Sequence, residues 1–483
     1  MSDGNRGKTA DIGILGLGVM GCNMALNLAD HGWQVAATDP WPEARDRLRR
    51  ALPAEDASSR VVEDTATLVA TLKRPRQLLM MVKAGEPVDA ALAELQPLLT
   101  AGDCVMDGGN SHFRDTRRRC RTLAEQGISL LDLGISGGAA GARRGPAIMV
   151  GGAEEAYRRA APLLRTIAAR HGLEPCCARF GEEGAGHFVK MVHNSIEYAA
   201  MQVIAEVYAA MQALLGLSYP QMSACLRDWN RGLGASYLLK ITAEILDRRD
   251  PETGRPLPEL VLDTPGQKGT GQWAAQTALE LGVAAPTLIE AVQARTLAAD
   301  RAQRLARAGR WPGPLGESAA ELTEGDLQDA LLAGTLSAYA QGFALLQAAA
   351  AEYGWAAPVA KAAAVWRAGC IIRAEVLQLA TDALATAPQD SALLDIAPLR
   401  EAMASAQVGW RRTAAAAAVA GLPLPALAAS LAWYDGSRSA RLPANLIQCQ
   451  RDYFGAHGYR RIDRSGDFHT DWSAPDSDSD RSP

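Results

Sequence analysis

Asp11-Ile-Gly-Ile-Leu15, running into Gly16-Leu17-Gly18-Val19-Met20-Gly21, is the stretch that decides the fold of the N-terminal half. A short apolar strand meets a GxGxxG turn, and a helical pattern follows from Asn23 to Ala29. Trp33 to Thr38 reads as a second strand, ending at Asp39. Strand, glycine turn, helix, strand and acid together describe a dinucleotide-binding βαβ unit. The glycines allow a tight turn and bring a pyrophosphate close to the helix N-terminus. The motif alone is weak evidence; this context makes it specific.

Further βα units follow. Gln77 to Val82 is a strand leading to Lys83-Ala84-Gly85. Cys104 to Asp107 leads to Gly108-Gly-Asn110-Ser-His112, and Ser129 to Leu133 leads to Gly134-Ile-Ser136-Gly137-Gly138. Each ends in small or polar residues, where an α/β sheet presents its ligand crevice. The Ser136-Gly137-Gly138 turn suits a carboxylate, although an ordinary turn reads the same way. A carboxylate at Asp39 accepts the adenosine ribose diol and repels a 2′-phosphate, so the local physics favours NAD over NADP. Arg45 and Arg47, one or two turns on, are the nearby cations.

From residue 184 to about 440 the chain is rich in Ala, Leu, Gln and Glu, with helical periods and no strand alternation. Gly186-His-Phe-Val-Lys190-Met-Val-His193-Asn194-Ser-Ile-Glu197-Tyr198 opens this region. At about 100° per residue, Asn194 lies about 40° and Glu197 about −20° from Lys190, so a lysine, an amide and a carboxylate form one column. A Lys/Glu pair on a buried helix can act as base and acid; a solvated face would carry the same pair. Gly266-Gln-Lys268-Gly-Thr270-Gly271 is a plausible phosphate cradle, without P-loop spacing, and Arg295 could add a planar donor fork.

The 483 residues suit two or three domains. A net charge of −5 gives no electrostatic footprint for nucleic acid. Cysteines at 22, 104, 120, 176, 177, 225, 370 and 449 form no CxxC, which suggests reduced thiols in a cytoplasmic protein without a zinc site. The start at Met1 lacks the apolar core of a signal peptide. The uncharged run 413–433 is interrupted by Gly421, Pro423 and Pro425, and reads as two helices rather than a membrane span. Ala474 to Pro483 is Ser/Asp-rich and reads as disordered.

In order, GLGVMG from Gly16, VKAG from Val82, DGGNS from Asp107, ISGGAAGARRGP from Ile135, GHFVKMVHNSIEY from Gly186, GQKGTGQW from Gly266 and ARLPANLIQCQRDYFGAH from Ala440 resemble the decarboxylating 6-phosphogluconate dehydrogenase family. The resemblance implies an α/β Rossmann-like domain over 1–183, an all-helical substrate and dimerisation domain over 184–440, and a tail over 441–483 contacting the partner of a homodimer. It implies oxidative decarboxylation of 6-phospho-D-gluconate to ribulose 5-phosphate, of the pentose phosphate pathway type, with NAD or NADP and no metal. By position it implies Lys190 as base, Glu197 as acid, and Asn194 and His193 as orienting groups. Asn110, Ser136, Gly137 and Gly138 would hold the sugar acid. Tyr198, Lys268, Thr270 and Arg295 would hold its phosphate, with Arg451 and His457 from the other subunit. Gly16, Leu17, Gly18, Val19, Met20, Gly21, Asp39, Val82, Lys83, Ala84 and Asn110 would form the cofactor site.

The chain departs from the family pattern at several positions. Asp39-Pro40-Trp41 stands where Asn-Arg-Ser/Thr usually grips the 2′-phosphate of NADP, and Ala139-Ala140 replaces two glutamates. Ser195, Ala199 and Ala200 replace Gly, Gly and Asp, Gln272 replaces a lysine, and Gly458 stands for Thr. Two other readings are a dehydrogenase of another β-hydroxy acid and a non-catalytic nucleotide-binding paralogue. An intact phosphate set argues against the first, and the Lys190/Glu197 pair against the second.

Overall fold

The computed structural model describes residues 9–52, 59–314, 321–355, 359–388 and 391–473. The Ser/Asp-rich end from Ala474 lies outside the described residues. The chain forms two compact units, Met1–Leu431 and Ala432–Pro483.

The first unit begins as the glycine turn predicts. Strands β1 (Ile12–Leu15), β2 (Val35–Thr38), β3 (Arg60–Val61), β4 (Gln77–Met80), β5 (Cys104–Asp107), β6 (Ser129–Ser136) and β7 (Ala147–Gly151) alternate with helices. A small hairpin, β8 (Arg170–His171) and β9 (Glu174–Pro175), precedes β10 (Cys177–Gly181). The main sheet has the order β10-β7-β6-β5-β4-β1-β2-β3. From β3 to β6 all pairings are parallel, the doubly wound order whose switch point lies between β1 and β4. Every strand anticipated from sequence is present. The strand expected at Ser129–Leu133 continues to Ser136 because β7 runs antiparallel beside it, pairing Ser136 with Ala147.

The helix Ala185–Ala213 leaves the sheet and enters the helical part. Asp132, buried on β6, accepts hydrogen bonds from the backbone N–H of Gly184 (3.0 Å) and His187 (2.7 Å). This remote carboxylate caps the helix start, since Gly184 has no side chain to do so. The His187 ring ties the same turn to Thr116 Oγ1 (2.8 Å) and the Asp107 carbonyl (3.1 Å). Farther along, the helix crosses Glu324–Tyr353, where glycines permit close approach. A Cβ at Gly342 would meet Ile196 Cδ1 at 2.5 Å.

The run 413–433 forms the end of the helix Ala397–Val419, a break, and the start of the helix Pro425–Ser437. Among the described residues no helix is long and apolar enough to cross a membrane. Glu206, buried, accepts from the N–H groups of Ala426 and Leu427, both at 2.9 Å. Glu206→Ala strands both donors and should destabilise the fold by about 2–4 kcal/mol in urea titration; a loss under about 0.5 kcal/mol would refute this capping role.

In the second unit, the helix Ala444–Gly455 and a two-strand hairpin gather around Asp452. Its buried carboxylate accepts from Gly458 N (2.9 Å), Thr470 N (3.1 Å) and Trp472 Nε1 (2.9 Å), and meets His469 Nδ1 at 2.8 Å.

Candidate active site

A cleft of about 750 Å³ opens at the switch point. Gly18 to Gly21, Val82, Lys83, Ala84 and Asn110 line it. Gly16 has φ +98°, and a Cβ there would meet the Met81 carbonyl at 2.7 Å. A Cβ at Gly21 would meet Met81 Cβ at 3.1 Å, whereas one at Gly18 meets nothing within 4 Å. Gly16 therefore sets the turn, Gly21 the close packing, and Gly18 leaves room for a ligand. The helix Val19–Asp30 has no acidic first turn and no side-chain cap, so its N-terminal amides remain open to an anion. These features fit a dinucleotide pyrophosphate.

Leu17 turns its side chain into the core. Its N–H donates to Asp39 Oδ2 at 2.6 Å and its carbonyl accepts from Arg47 at 2.6 Å. Asp39 Oδ1 accepts from Trp41 N at 2.9 Å. Arg45 donates to the Asp39 carbonyl at 2.7 Å and pairs with Glu63 at 2.7 Å. Both arginines left open by the sequence are thus committed to local partners. Sequence reasoning missed Met81, His112, Ile135 and Trp273 in the cleft. His112 and Trp273 meet edge to face at 4.9 Å. Trp273 closes the glycine motif at 266–271, and that adjacency is the signal that could have found it.

The end of β6 joins this cleft to the Lys190 helix. Ile135 lines the cleft. Ser136 Oγ lies 3.1 Å from His193 Nε2. A Cβ at Gly134 would meet Lys190 Cβ at 2.4 Å and the Gly186 carbonyl at 2.8 Å. Gly134→Ala must therefore push the helix off the strand. A displacement near 1 Å costs on the order of 100-fold in rate, so kcat should fall by about that factor; a kcat within threefold of wild type would refute the contact's importance.

Lys190 is 7% exposed and His193 is fully buried. His193 Nδ1 lies 3.4 Å from Lys190 Nζ and 3.1 Å from Asn194 Oδ1. Asn194 Nδ2 donates to Thr270 Oγ1 at 3.3 Å, so Oδ1 is left to accept from the imidazole. That arrangement favours the neutral ring with its proton on Nδ1 and with Nε2 accepting from Ser136. Burial, and then the neighbouring lysine, hold His193 well below its ordinary pKa. Glu197 approaches the same ring at 3.9 Å.

Burial pushes Lys190 down to about 8, against the opposing pull of Glu197. Burial pushes Glu197 up, against the pull of Lys190 and Arg295. Each group thus moves toward its neutral form while the charge of the other opposes the shift.

One turn on, the Arg295 guanidinium sits 3.5 Å from the Tyr198 ring centre, and it donates to the Gly266 carbonyl at 3.3 Å. Gly269, with φ +91°, starts the helix Thr270–Glu280. Tyr198, Thr270 and Arg295 thus converge beside Asn194, while Lys268 lines the cleft near the glycine loop. Gly137 has φ +115° and, with Gly138, follows Ser136 into a short helix whose Ala139 and Ala140 are exposed. Arg451 and His457 belong to the second unit, where Arg451 bonds Gln448 at 3.2 Å and His457 meets the Phe454 ring at 6.0 Å.

The model of the NAD binding domain of 6-phosphogluconate dehydrogenase matches residues 11–181, and that of the 6-phosphogluconate dehydrogenase C-terminal domain matches 186–472. The chain belongs to the 6-phosphogluconate dehydrogenase family. An NAD(+)-dependent, decarboxylating 6-phosphogluconate dehydrogenase of Bacillus subtilis is 43% identical, over 96% of this chain and 99% of that one. An NADP(+)-dependent relative of the same organism is also 43% identical, over 95% and 98%. A solved 6-phosphogluconate dehydrogenase of Plasmodium falciparum, described in its apo form, with NADP+ and with 6-phosphogluconate, superposes with a TM-score of 0.92. It is 34% identical and covers 96% of this chain and 100% of that one. The family thus contains both NAD(+)- and NADP(+)-dependent members.

Proposed function

We propose that this chain oxidises and decarboxylates 6-phospho-D-gluconate to ribulose 5-phosphate and CO2, as an NAD(P)-dependent enzyme of the pentose phosphate type. The observation that carries the reading is the buried Lys190, lowered to about 8, on one helix face with the half-buried Glu197 and joined through Gly134 and Ser136 to the dinucleotide cleft.

Lys190, neutral, takes the proton of the carbon-3 hydroxyl as hydride leaves carbon 3. The nicotinamide, when bound, supplies the hydride acceptor. The β-keto acid then loses carbon 1 as CO2, and the bond electrons pass toward the carbonyl, whose oxygen regains the proton from Lys190. Glu197 protonates carbon 1 of the resulting enediol, formerly carbon 2 of the acid, as the enediol hydroxyl gives its proton back to Lys190 and becomes the ketone. His193 and Asn194 orient the lysine and the sugar hydroxyls. Asn110, Ser136, Gly137 and Gly138 hold the sugar-acid end, and Tyr198, Lys268, Thr270 and Arg295 hold the phosphate.

The enzyme works in the cytoplasm as a homodimer, in which Arg451 and His457 serve the phosphate of the other subunit. Exposed Leu446, Ile447, Tyr453 and Phe454 support an intersubunit role for the tail. The free state of the cysteines suits a reducing compartment.

The cofactor is NAD. Initial rates with 6-phosphogluconate should favour NAD over NADP by on the order of 100-fold in kcat/KM, from charge repulsion at Asp39. Asp39→Asn, which keeps an acceptor for Leu17, should narrow that ratio. Equal catalysis with NADP by the unmodified protein would refute the NAD reading, and no activity with either cofactor would refute the reaction.

A further inference from the structure

Just past Asp39, at the end of β2 where this fold receives the adenosine ribose, are two features that the reaction chemistry does not use. Trp41 is 71% exposed, a large apolar surface to leave in water. It is not loosely placed. Its N–H is fixed on Asp39 Oδ1 at 2.9 Å, and its carbonyl accepts from Ala44 N (3.1 Å) and Arg45 N (3.3 Å) at the start of the helix Pro42–Ala51. The backbone of Trp41 is therefore fixed immediately past Asp39, and its exposed indole is carried at the end of β2, the side on which this fold receives the adenosine of a dinucleotide.

The second feature is Glu63, just past β3. One carboxylate engages two arginines of that helix: Arg45 at 2.7 Å, and Arg49 through its other oxygen. Arg45 is also held by the carbonyls of Asp39 (2.7 Å) and Pro40 (3.3 Å). Among the described residues, these carbonyls and Glu63 are the partners that hold Arg45 beside Asp39 rather than over the ribose.

Building on the NAD reading above, we propose that Trp41 is the platform on which the adenine stacks. We propose further that Glu63 clamps Arg45 and Arg49 away from the adenosine 2′ position, so that this subsite takes an unphosphorylated adenosine. Stacking of a base on an aromatic ring is strong enough to dominate mononucleotide affinity. A mostly exposed ion pair is weaker, so the clamp tunes selectivity without creating it.

The test is calorimetric titration of the full-length protein with AMP, adenosine 2′,5′-bisphosphate and nicotinamide mononucleotide. Trp41→Ala should weaken AMP binding about 10-fold or more, and Trp41→Phe should stay within about threefold, because a ring remains. Nicotinamide mononucleotide should bind all three proteins alike. Glu63→Gln should raise the affinity for the bisphosphate relative to AMP by about three- to tenfold, as Arg45 is released. Unchanged AMP binding in Trp41→Ala, or a loss shared with nicotinamide mononucleotide, overturns the platform. An unchanged bisphosphate-to-AMP ratio in Glu63→Gln overturns the clamp. These titrations involve no sugar acid and no turnover, so they stand or fall separately from the decarboxylation itself.

Discussion

Lys190→Ala is expected to lower kcat by on the order of 10⁴-fold while NAD binding stays within about twofold of wild type. Lys190 handles a proton at each step of the proposed cycle: out of the hydroxyl, back to the carbonyl oxygen, and out again as the enediol becomes the ketone. General base catalysis alone contributes up to about 10⁴-fold. In the proposed site the cofactor is held elsewhere, at the glycine turn and Asp39, so its affinity should survive. The pH profile gives an independent readout. Burial holds Lys190 at about 8. Below that value the ammonium form dominates and cannot accept a proton, so kcat/KM of the wild type should fall about tenfold per pH unit on the acid side. The residual rate of Lys190→Ala should lack this limb. Stopped-flow absorbance and steady-state rates between pH 6 and 9 would show both effects, and turnover within tenfold of wild type would remove Lys190 from the role of base.

Glu197→Gln separates the two halves of the reaction. Glutamine keeps the shape and the hydrogen-bonding reach of the acid but has no proton to give to carbon. Burial keeps the Glu197 carboxyl above its ordinary range, which favours the protonated donor. Loss of a general acid costs about 10²–10⁴-fold, so steady-state kcat should drop by at least about 100-fold with little change in KM. Hydride transfer does not need this proton. Rapid mixing should therefore show a first turnover of reduced cofactor near the wild-type rate, followed by slow pentulose formation. A variant that loses the burst along with the steady state would place Glu197 earlier in the cycle.

The two variants rest on different kinds of information. The βαβ unit was legible because its signals are local. An apolar run, a GxGxxG turn and an acid after the next strand each specify backbone within a few residues. The extension of β6 to Ser136 was not legible, because it depends on β7, whose antiparallel return is a long-range pairing. Asp132 was likewise overlooked: a lone carboxylate in an apolar strand makes sense only once Gly184 and His187 are found above it.

The site divides in the same way. Helical spacing places Lys190, Asn194 and Glu197 on one face, since rise and twist per residue are nearly invariant. Nothing in that spacing says whether the face meets water or a core. The identity of Asp39, readable directly, points to NAD, but whether Arg45 was free to oppose it depended on Glu63, which lies outside the motif.

The sequence by itself determined the dinucleotide fold, the helical second half and the polar column that begins at Lys190, because each follows from periodicity and turn chemistry within one element. Only the tertiary structure decided that Gly134 lies against Lys190, that Ser136 and Asn194 meet the two nitrogens of His193, and that Lys190 is buried deeply enough to be pushed down to about 8. Those properties come from desolvation and contacts between distant segments, and no local pattern of residues encodes how deeply a helix will sink into its neighbours.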